Sequence, residues 1–413
     1  MANIALMGHG VVGSGVAEVL LKNKEAFEGK LGEEVNLKYI LDLRDFDVPY
    51  KNLFTKDFQT IVQDKSVSVV VEVMGGLKPA YDFVKTCLEN GKSVVTSNKE
   101  LVAAKGAELL RLAREHNVNF LFEASVGGGI PIIRPMHQCL AANEIREVAG
   151  ILNGTTNFIL TKMIREQMAF DEALKLAQSL GYAEKDPTAD IEGGDACRKI
   201  CILASLAYGK HVYPEQVKTE GITKLTSEDV AYAESWGGVI KLIGRAKKLE
   251  NGKLHIMVSP AFISRESQLA GVDDVFNGIL VRGDATGDVV FYGKGAGKLP
   301  TASAVVADII DEIKHKDTIK TLYWEDGSKD YVEQYENYST PMYIRCSAQN
   351  TKTALAQANE LFGTVNMLAR KNQPENEVAF VTPVLTEKAI AEGIKKLELS
   401  GVSVLAQIRI LDY

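Results

Sequence analysis

The sequence predicts an α/β protein. It opens on a doubly wound parallel sheet, continues into a second α+β region, and closes on a small βαββαβ unit. Three observations carry this. The chain starts with an apolar strand, a glycine turn and a helix, "NIALMGHGVVGSGVAEVLLKN". Non-alternating apolar strands then alternate with helical periods up to about residue 130, the pattern of strands buried on both faces. After residue 340 the order of short runs changes to strand, helix, two strands, helix, strand.

In the opening segment, Gly8, Gly10 and Gly13 fit G-x-G-x-x-G. The first glycine allows the tight turn, the second lets backbone approach a pyrophosphate, and the third lets helix pack on strand. The free N–H groups at the helix start favour phosphate. This Rossmann-type reading makes Gly8, His9, Gly10, Val11, Val12 and Gly13 candidate cofactor residues; a glycine turn with no ligand is the alternative. "LKYILDL" reads as the second strand, "SVSVVVEVMGG" as a buried strand, "AYDFVKTCLENG" as a helix and "KSVVTSNK" as a strand. "ELVAAKGAELLRLAREHN" follows as a helix and "VNFLFEASVGGG" as a strand. Ligands of such sheets sit at the carboxyl ends of the strands, where Gly75, Gly76, Ser97, Asn98 and Lys99 fall. Lys99 is either a site lysine or a solvated loop lysine. Asp42 suits the ribose hydroxyls of NAD, while Arg44 suits the extra phosphate of NADP, and either suits a plain surface position.

"FEASVGGGIPIIRPM" places Glu123 and three glycines at a strand end. Carbonyls of such a loop can bind a hard cation, and the same loop can be a simple crossing between domains. "EVAGILNGTTNFILTKM" reads as strand, polar turn and helix; Asn153 and Thr155 can cap that helix or hold a small polar substrate. "KLHIMVSPAFI", "NGILVRGD" and "GDVVFYG" read as strands, so the second region spans about residues 131–292.

Between them lies "LGYAEKDPTADIEGGDACRKI", with carboxylates at 184, 186, 190, 192 and 195. The loop ends at Gly193-Gly194 and a helix begins near Asp195. Asp195 and Lys199 are four apart and share a face. A surface pair of this kind is worth only about 0.3–0.5 kcal/mol. This helix, however, is apolar nearly all round ("ICILASLAYG"), which predicts a lysine buried against carboxylates. A buried lysine can move protons beside a hydroxyl or carbonyl, so the residues point to an oxidoreductase acting on a small polar molecule.

Composition excludes other classes. Hydrophobic residues are 46% and charged residues 24%, and the net charge of −7 argues against nucleic acid as a partner. No apolar run is long enough for a membrane span, and the N-terminus shows no signal-peptide pattern. Five scattered cysteines suit free thiols in a reducing cytoplasm.

Together "GHGVVGSGV", "VVVEVMGG", "VVTSNKE", "FEASVGGGIPII", "GILNGTTNFIL", "LGYAEKDPTADIEGGDACRK" and "GKGAGKLPTASAVVAD" resemble the homoserine dehydrogenase family over about residues 3–310. The resemblance implies NAD(P)-dependent interconversion of L-homoserine and L-aspartate 4-semialdehyde, in threonine, methionine and isoleucine biosynthesis. It implies Lys199 as acid/base, Lys99 as a second lysine near nicotinamide and substrate, and Asp190 beside the reacting oxygen. Glu184 and Asp195 would hold the amino acid, with Asn153 and Thr155 as further substrate contacts, and Gly297 would return beside the cofactor. A monovalent cation, usually sodium, would sit at Glu123 and the backbone of Val126, Gly128 and Ile130. Lys185 stands where the family commonly has proline. The implied organisation is a cofactor domain at 1–130 with a return segment at 293–315, a catalytic and dimerisation domain at 131–292, and a polar linker at 316–340. An ACT-like domain at 341–413 would follow, able to stand apart from the core. That last unit lacks the family's D-x-P-G loop, having "SAQNTKT" instead, which points to subunit association rather than amino-acid sensing. A homodimer or homotetramer is implied. Two other readings compete. A catalytically silent nucleotide-binding sensor would lack the lysine or carboxylates. An aspartate-semialdehyde dehydrogenase would need a nucleophilic cysteine in a glycine-rich loop; none of the five sits in one.

Overall fold

The computed structural model describes residues 1–316, 318, 321–328 and 330–413. Its first sheet is parallel and six-stranded: β1 (Ala2–Met7), β2 (Val35–Leu41), β3 (Phe54–Thr55), β4 (Val67–Glu72), β5 (Ser93–Thr96) and β6 (Phe120–Leu121). The strand order β3-β2-β1-β4-β5-β6 reverses direction between β1 and β4, opening a crevice at their carboxyl ends. β4 is buried on both faces except at Ser68, as its apolar run demands. Helix Lys298–Lys314 returns to this sheet and packs on the first helix, Val11–Lys22. Gly15 makes the contact possible, since a Cβ there would lie 3.0 Å from Ala302.

Two points differ from the sequence reading. The strand expected over "VNFLFEASVGGG" is only Phe120–Leu121, because Glu123 turns its carboxylate onto the amides of residues 132–134 and bends the chain away. The short strand β3 and the helices Lys24–Leu31 and Phe58–Gln63 carry too little periodicity to be read locally.

The second sheet contains β7 (Ile145–Ile151), β8 (Lys218–Thr219), β9 (Gly238–Lys248), β10 (Leu254–Ser264), β11 (Phe276–Gly283) and β12 (Gly287–Lys294). Beyond the two-stranded pair β13 (Ser339–Thr340) and β17 (Leu385–Thr386), it adds β14 (Met342–Ser347), β15 (Asn366–Leu368), β16 (Glu377–Val381) and β18 (Ser403–Leu411). The order is β12-β11-β7-β9-β10-β18-β14-β16-β15, with β8 also on β10. Helices Gly154–Arg165 and Gly194–Tyr208 cover one face and share its core.

The expected βαββαβ order after residue 341 is present, with helices Thr351–Phe362 and Glu387–Leu399. The unit does not stand apart: β18 pairs in parallel with β10 through Ala261–Arg409, Phe262–Ile410 and Ile263–Leu411. Buried charges lock this seam. Arg409 bonds Glu387 at 2.6 and 2.7 Å and Glu220 at 2.6 Å. Arg345 bonds Asp229 at 3.0 Å and Glu377 at 3.3 Å. Of the expected linker, residues 317, 319, 320 and 329 lie outside the described residues. The rest is anchored by Trp324, which is 1% exposed and donates to His211 Nδ1 at 2.9 Å. Its ring fills the space left by Gly106, where a Cβ would come within 2.7 Å.

Candidate active site

Lys199 lies one turn into the buried helix Gly194–Tyr208, as the apolar surround requires. Its Nζ donates to Asp195 Oδ2 at 2.6 Å and to the Leu152 carbonyl at 2.8 Å. Asp195 Oδ1 takes a second cation, Lys99, at 2.7 Å. Lys99 is the first residue of helix Lys99–Glu115, so this pair bridges the two sheets' units. Asn153 joins the carboxylates: Nδ2 donates to Asp190 at 2.7 Å and to Asp195 at 2.9 Å, while Oδ1 caps its own helix through Thr156 N–H at 2.8 Å. Capping and site geometry are therefore one arrangement.

The charges shift one another. Burial lowers the Lys199 pKa; Asp195 opposes this and Lys99 reinforces it. Burial works against the charge on Lys99 as well, yet Asp195 outweighs it and the net shift is upward. Burial disfavours the Asp195 carboxylate, but two lysines hold its pKa well below the ordinary range. Asp190 is raised, first by burial and then by Asp195. One lysine is thus poised to lose its proton beside one that keeps it.

Not all expected residues converge. The Glu184 side chain is exposed and makes no hydrogen bond or ion pair among the described residues; only its carbonyl is used, by Gln178. The Thr155 hydroxyl donates to the Tyr182 carbonyl at 2.6 Å.

The cofactor crevice is open where the glycines stand. A Cβ at Gly10, Gly75 or Gly76 would meet nothing within 4 Å, whereas at Gly13 it would lie 2.0 Å from the Gly8 carbonyl oxygen. Gly8 has φ +99°, a conformation that suits glycine. Gly10 precedes the helix with no side-chain cap, leaving its amides for phosphate. Val11 points outward and Val12 is half-buried against the core. His9 turns its ring into Phe46, Tyr50 and Phe54, and its N–H donates to Asp42 at 2.8 Å. Asp42 is also held bidentately by Arg44, with both bonds at 3.0 Å. The Arg44 side chain remains 65% exposed. Ser97 lies beyond β5, and Gly297, at φ +129°, opens the returning helix.

The Glu123 carboxylate accepts N–H groups from Ile132 at 2.6 Å, Ile133 at 2.8 Å and Arg134 at 2.8 Å. It therefore has little left for a cation. The buried carbonyls of Val126, Gly128 and Ile130 accept no hydrogen bond among the described residues, so a site of backbone oxygens fits this loop. No group of three or more His, Cys, Asp or Glu side chains suited to a metal occurs among the described residues.

Sequence reasoning placed Asn98 at a strand end but missed Glu72 and Thr96, which with it tie the strand ends together. A carboxylate inside "VVVEVMGG" was the available signal.

An open dinucleotide crevice beside a buried lysine and its carboxylates defines a nicotinamide-dependent dehydrogenase. The family model "Homoserine dehydrogenase, NAD binding domain" matches residues 8–123, and "Homoserine dehydrogenase" matches 131–310. The chain is 40% identical to the homoserine dehydrogenase of Neisseria gonorrhoeae over 96% of this chain and 95% of that one. The crystal structure of a homoserine dehydrogenase from Thiobacillus denitrificans superposes with TM-score 0.90 at 37% identity, covering 100% of this chain and 98% of that one. A hyperthermophilic archaeal homoserine dehydrogenase mutant in complex with NADPH gives TM-score 0.65 at 32% identity, over 76% of this chain and 98% of that one. The chain belongs to the homoserine dehydrogenase family. It is an NAD(P)-dependent oxidoreductase that interconverts L-homoserine and L-aspartate 4-semialdehyde. No helix among the described residues is long and apolar enough to cross a membrane.

Proposed function

We propose that Lys199 is the proton acceptor for the homoserine hydroxyl, with Lys99 and Asp190 completing the catalytic set. Bound NAD(P)⁺ supplies the hydride acceptor. The observation that carries this is the Lys199 ammonium: buried, lowered in pKa, and bonded to Asp195 and the Leu152 carbonyl. In its neutral form it takes the hydroxyl proton as the carbon–oxygen bond becomes a carbonyl. Lys99 stays charged on Asp195, fixing that carboxylate and favouring negative charge on the reacting oxygen. Asp190, held by Asn153, lies beside this oxygen.

Glu184 and Asp195 take the substrate's ammonium, and Asn153 and Thr155 add polar contacts. For Glu184 this is chemically apt, because its carboxylate is exposed and unengaged. The dinucleotide is held by Gly8, His9, Gly10, Val11, Val12 and Gly13 at the phosphates, by Arg44 at the adenosine end, and by Gly75, Gly76, Ser97, Lys99 and Gly297 toward the reacting ring. An exposed guanidinium already ordered by Asp42 suits NADP as well as NAD. A monovalent cation such as sodium binds at the Glu123 backbone and the carbonyls of Val126, Gly128 and Ile130. The unit at 341–413 is ACT-like and serves subunit association in a homodimer or homotetramer. Free cysteines support a cytoplasmic location.

The test is absorbance at 340 nm with L-homoserine and each cofactor, with sodium varied against a tetraalkylammonium salt. Homoserine-dependent reduction that needs sodium supports both claims. Turnover indifferent to sodium removes the cation, and no turnover with either cofactor removes the mechanism.

A further inference from the structure

Glu72 ends β4, directly after the apolar run Val69–Val71, and its side chain is fully buried. A valine would suit the sheet there as well. Its carboxylate is at the centre of a closed set of hydrogen bonds. Oε1 accepts the N–H of Met74 at 2.8 Å and of Gly75 at 3.2 Å. Oε2 accepts the Thr96 hydroxyl at 2.6 Å. The Thr96 oxygen accepts the Asn98 N–H at 2.9 Å. Asn98 Nδ2 donates back to the Gly76 carbonyl at 2.7 Å, and its Oδ1 accepts the Leu101 N–H at 3.0 Å, capping the helix that Lys99 opens.

The ends of two neighbouring strands, β4 beside the crevice and β5 next to it, are therefore one frame. One limb is the Gly75–Gly76 turn, both of whose glycines have positive φ. The other limb aims Lys99 at Asp195. Burial pushes the Glu72 pKa up, and the Thr96, Met74 and Gly75 donors oppose it. A buried carboxylate costs stability unless donors compensate it, and here the donors come from the two limbs it joins.

We propose that Glu72 is a positioning residue for hydride transfer, holding the Gly75–Gly76 turn and Lys99 in register through Thr96 and Asn98. It reaches the reacting atoms only through the limbs it holds. The proposal rests on the dehydrogenase mechanism above. The frame uses an acceptor at both oxygens of residue 72. A glutamine can keep its oxygen on the two amides, but its NH₂ then faces the Thr96 hydroxyl. The Thr96 oxygen can take that N–H on its second lone pair, beside the one from Asn98, but its own proton has lost the Oε2 acceptor and the Lys99 limb slackens.

The experiment uses the full chain with Glu72→Gln, Thr96→Val, Thr96→Ser and the Gln/Val double variant. Thermal melting and calorimetric NADP⁺ binding are measured without substrate, and kinetics with homoserine across pH. Both single variants should melt near wild type, bind NADP⁺ several-fold more weakly, and lose about 10²-fold in kcat, the cost of a misplacement of about 1 Å. KM for homoserine should hold, the pH profile should shift as Lys99 moves against Asp195, Thr96→Ser should restore activity, and the double variant should be no worse than either single one. Near wild-type kcat in either folded variant would overturn the proposal. So would an activity loss that tracks the unfolded fraction with an unchanged pH profile. Should Glu72→Gln fail to fold, the threonine pair decides alone. A wild-type protein without homoserine turnover would sink the mechanism, while NADP⁺ binding would still report on the frame.

Discussion

Two ion clusters in this protein pair buried carboxylates with different cations. At the active site Asp195 holds Lys199 and Lys99. At the seam with the last βαββαβ unit, Asp229 and Glu377 hold Arg345, while Glu387 and Glu220 hold Arg409. Burial is comparable: Asp195, Lys199, Arg345 and Arg409 are all under 9% exposed. Burial pushes a lysine toward its neutral form, the direction in which Lys199 is shifted. An arginine keeps its charge and spends its planar donors on bidentate bonds. The choice of cation separates a cluster that reacts from one that fastens.

The sharpest break would come at Lys199. Lys199→Ala should fold and bind cofactor but lose about 10²–10⁴-fold in kcat. Lys199→Arg should lose as much while keeping the charge, whereas Arg345→Lys at the seam should leave kcat unchanged. An active Lys199→Arg enzyme would end the comparison.

Next in size is the seam itself. Arg345→Met leaves Asp229 and Glu377 buried without their partner, a loss of about 3–5 kcal/mol for pairs of this kind. The melting temperature should fall sharply, with kcat of the folded fraction intact. A fall in kcat at unchanged melting temperature would show that the seam reaches the chemistry.

Glu184 offers a smaller effect. Glu184→Gln should raise KM for homoserine by an amount corresponding to about 1.5–3 kcal/mol, one charge-assisted hydrogen bond. An unchanged KM would leave the exposed carboxylate without a substrate role.

The smallest displacement is along the pH axis, read apart from the loss in kcat that removing Lys99 from the catalytic set brings. The Lys99 charge helps lower the Lys199 pKa. Homoserine oxidation needs neutral Lys199, so its rate rises as pH passes that pKa. In Lys99→Met the repulsion is gone, the Lys199 pKa rises, and the rising limb of kcat/KM should move to higher pH. A limb that stays or moves to lower pH would show that Lys99 does not act on Lys199 through charge.

How far the site could be read from sequence follows from how local each interaction is. Asp195 and Lys199 stand four apart on an apolar helix, so their pairing and burial were legible. The glycine turn and most of the strand–helix alternation after it were legible for the same reason. Lys99 was not distinguishable from a loop lysine, because its partner lies on another sheet's helix. The Glu123 carboxylate was read as a cation ligand, and only the folded loop shows it taken by three amides.

By itself the sequence determined the two periodicities, the glycine turn, the family, and which lysine is buried. These depend on residues within a turn or two of each other. Only the tertiary structure decided that β18 extends the catalytic sheet, that Asp195 serves two lysines, and that Glu72 and Asn98 share one frame. Each of those joins segments far apart along the chain. A strand edge or a carboxylate's free oxygen carries no mark of its distant partner until packing brings the two together.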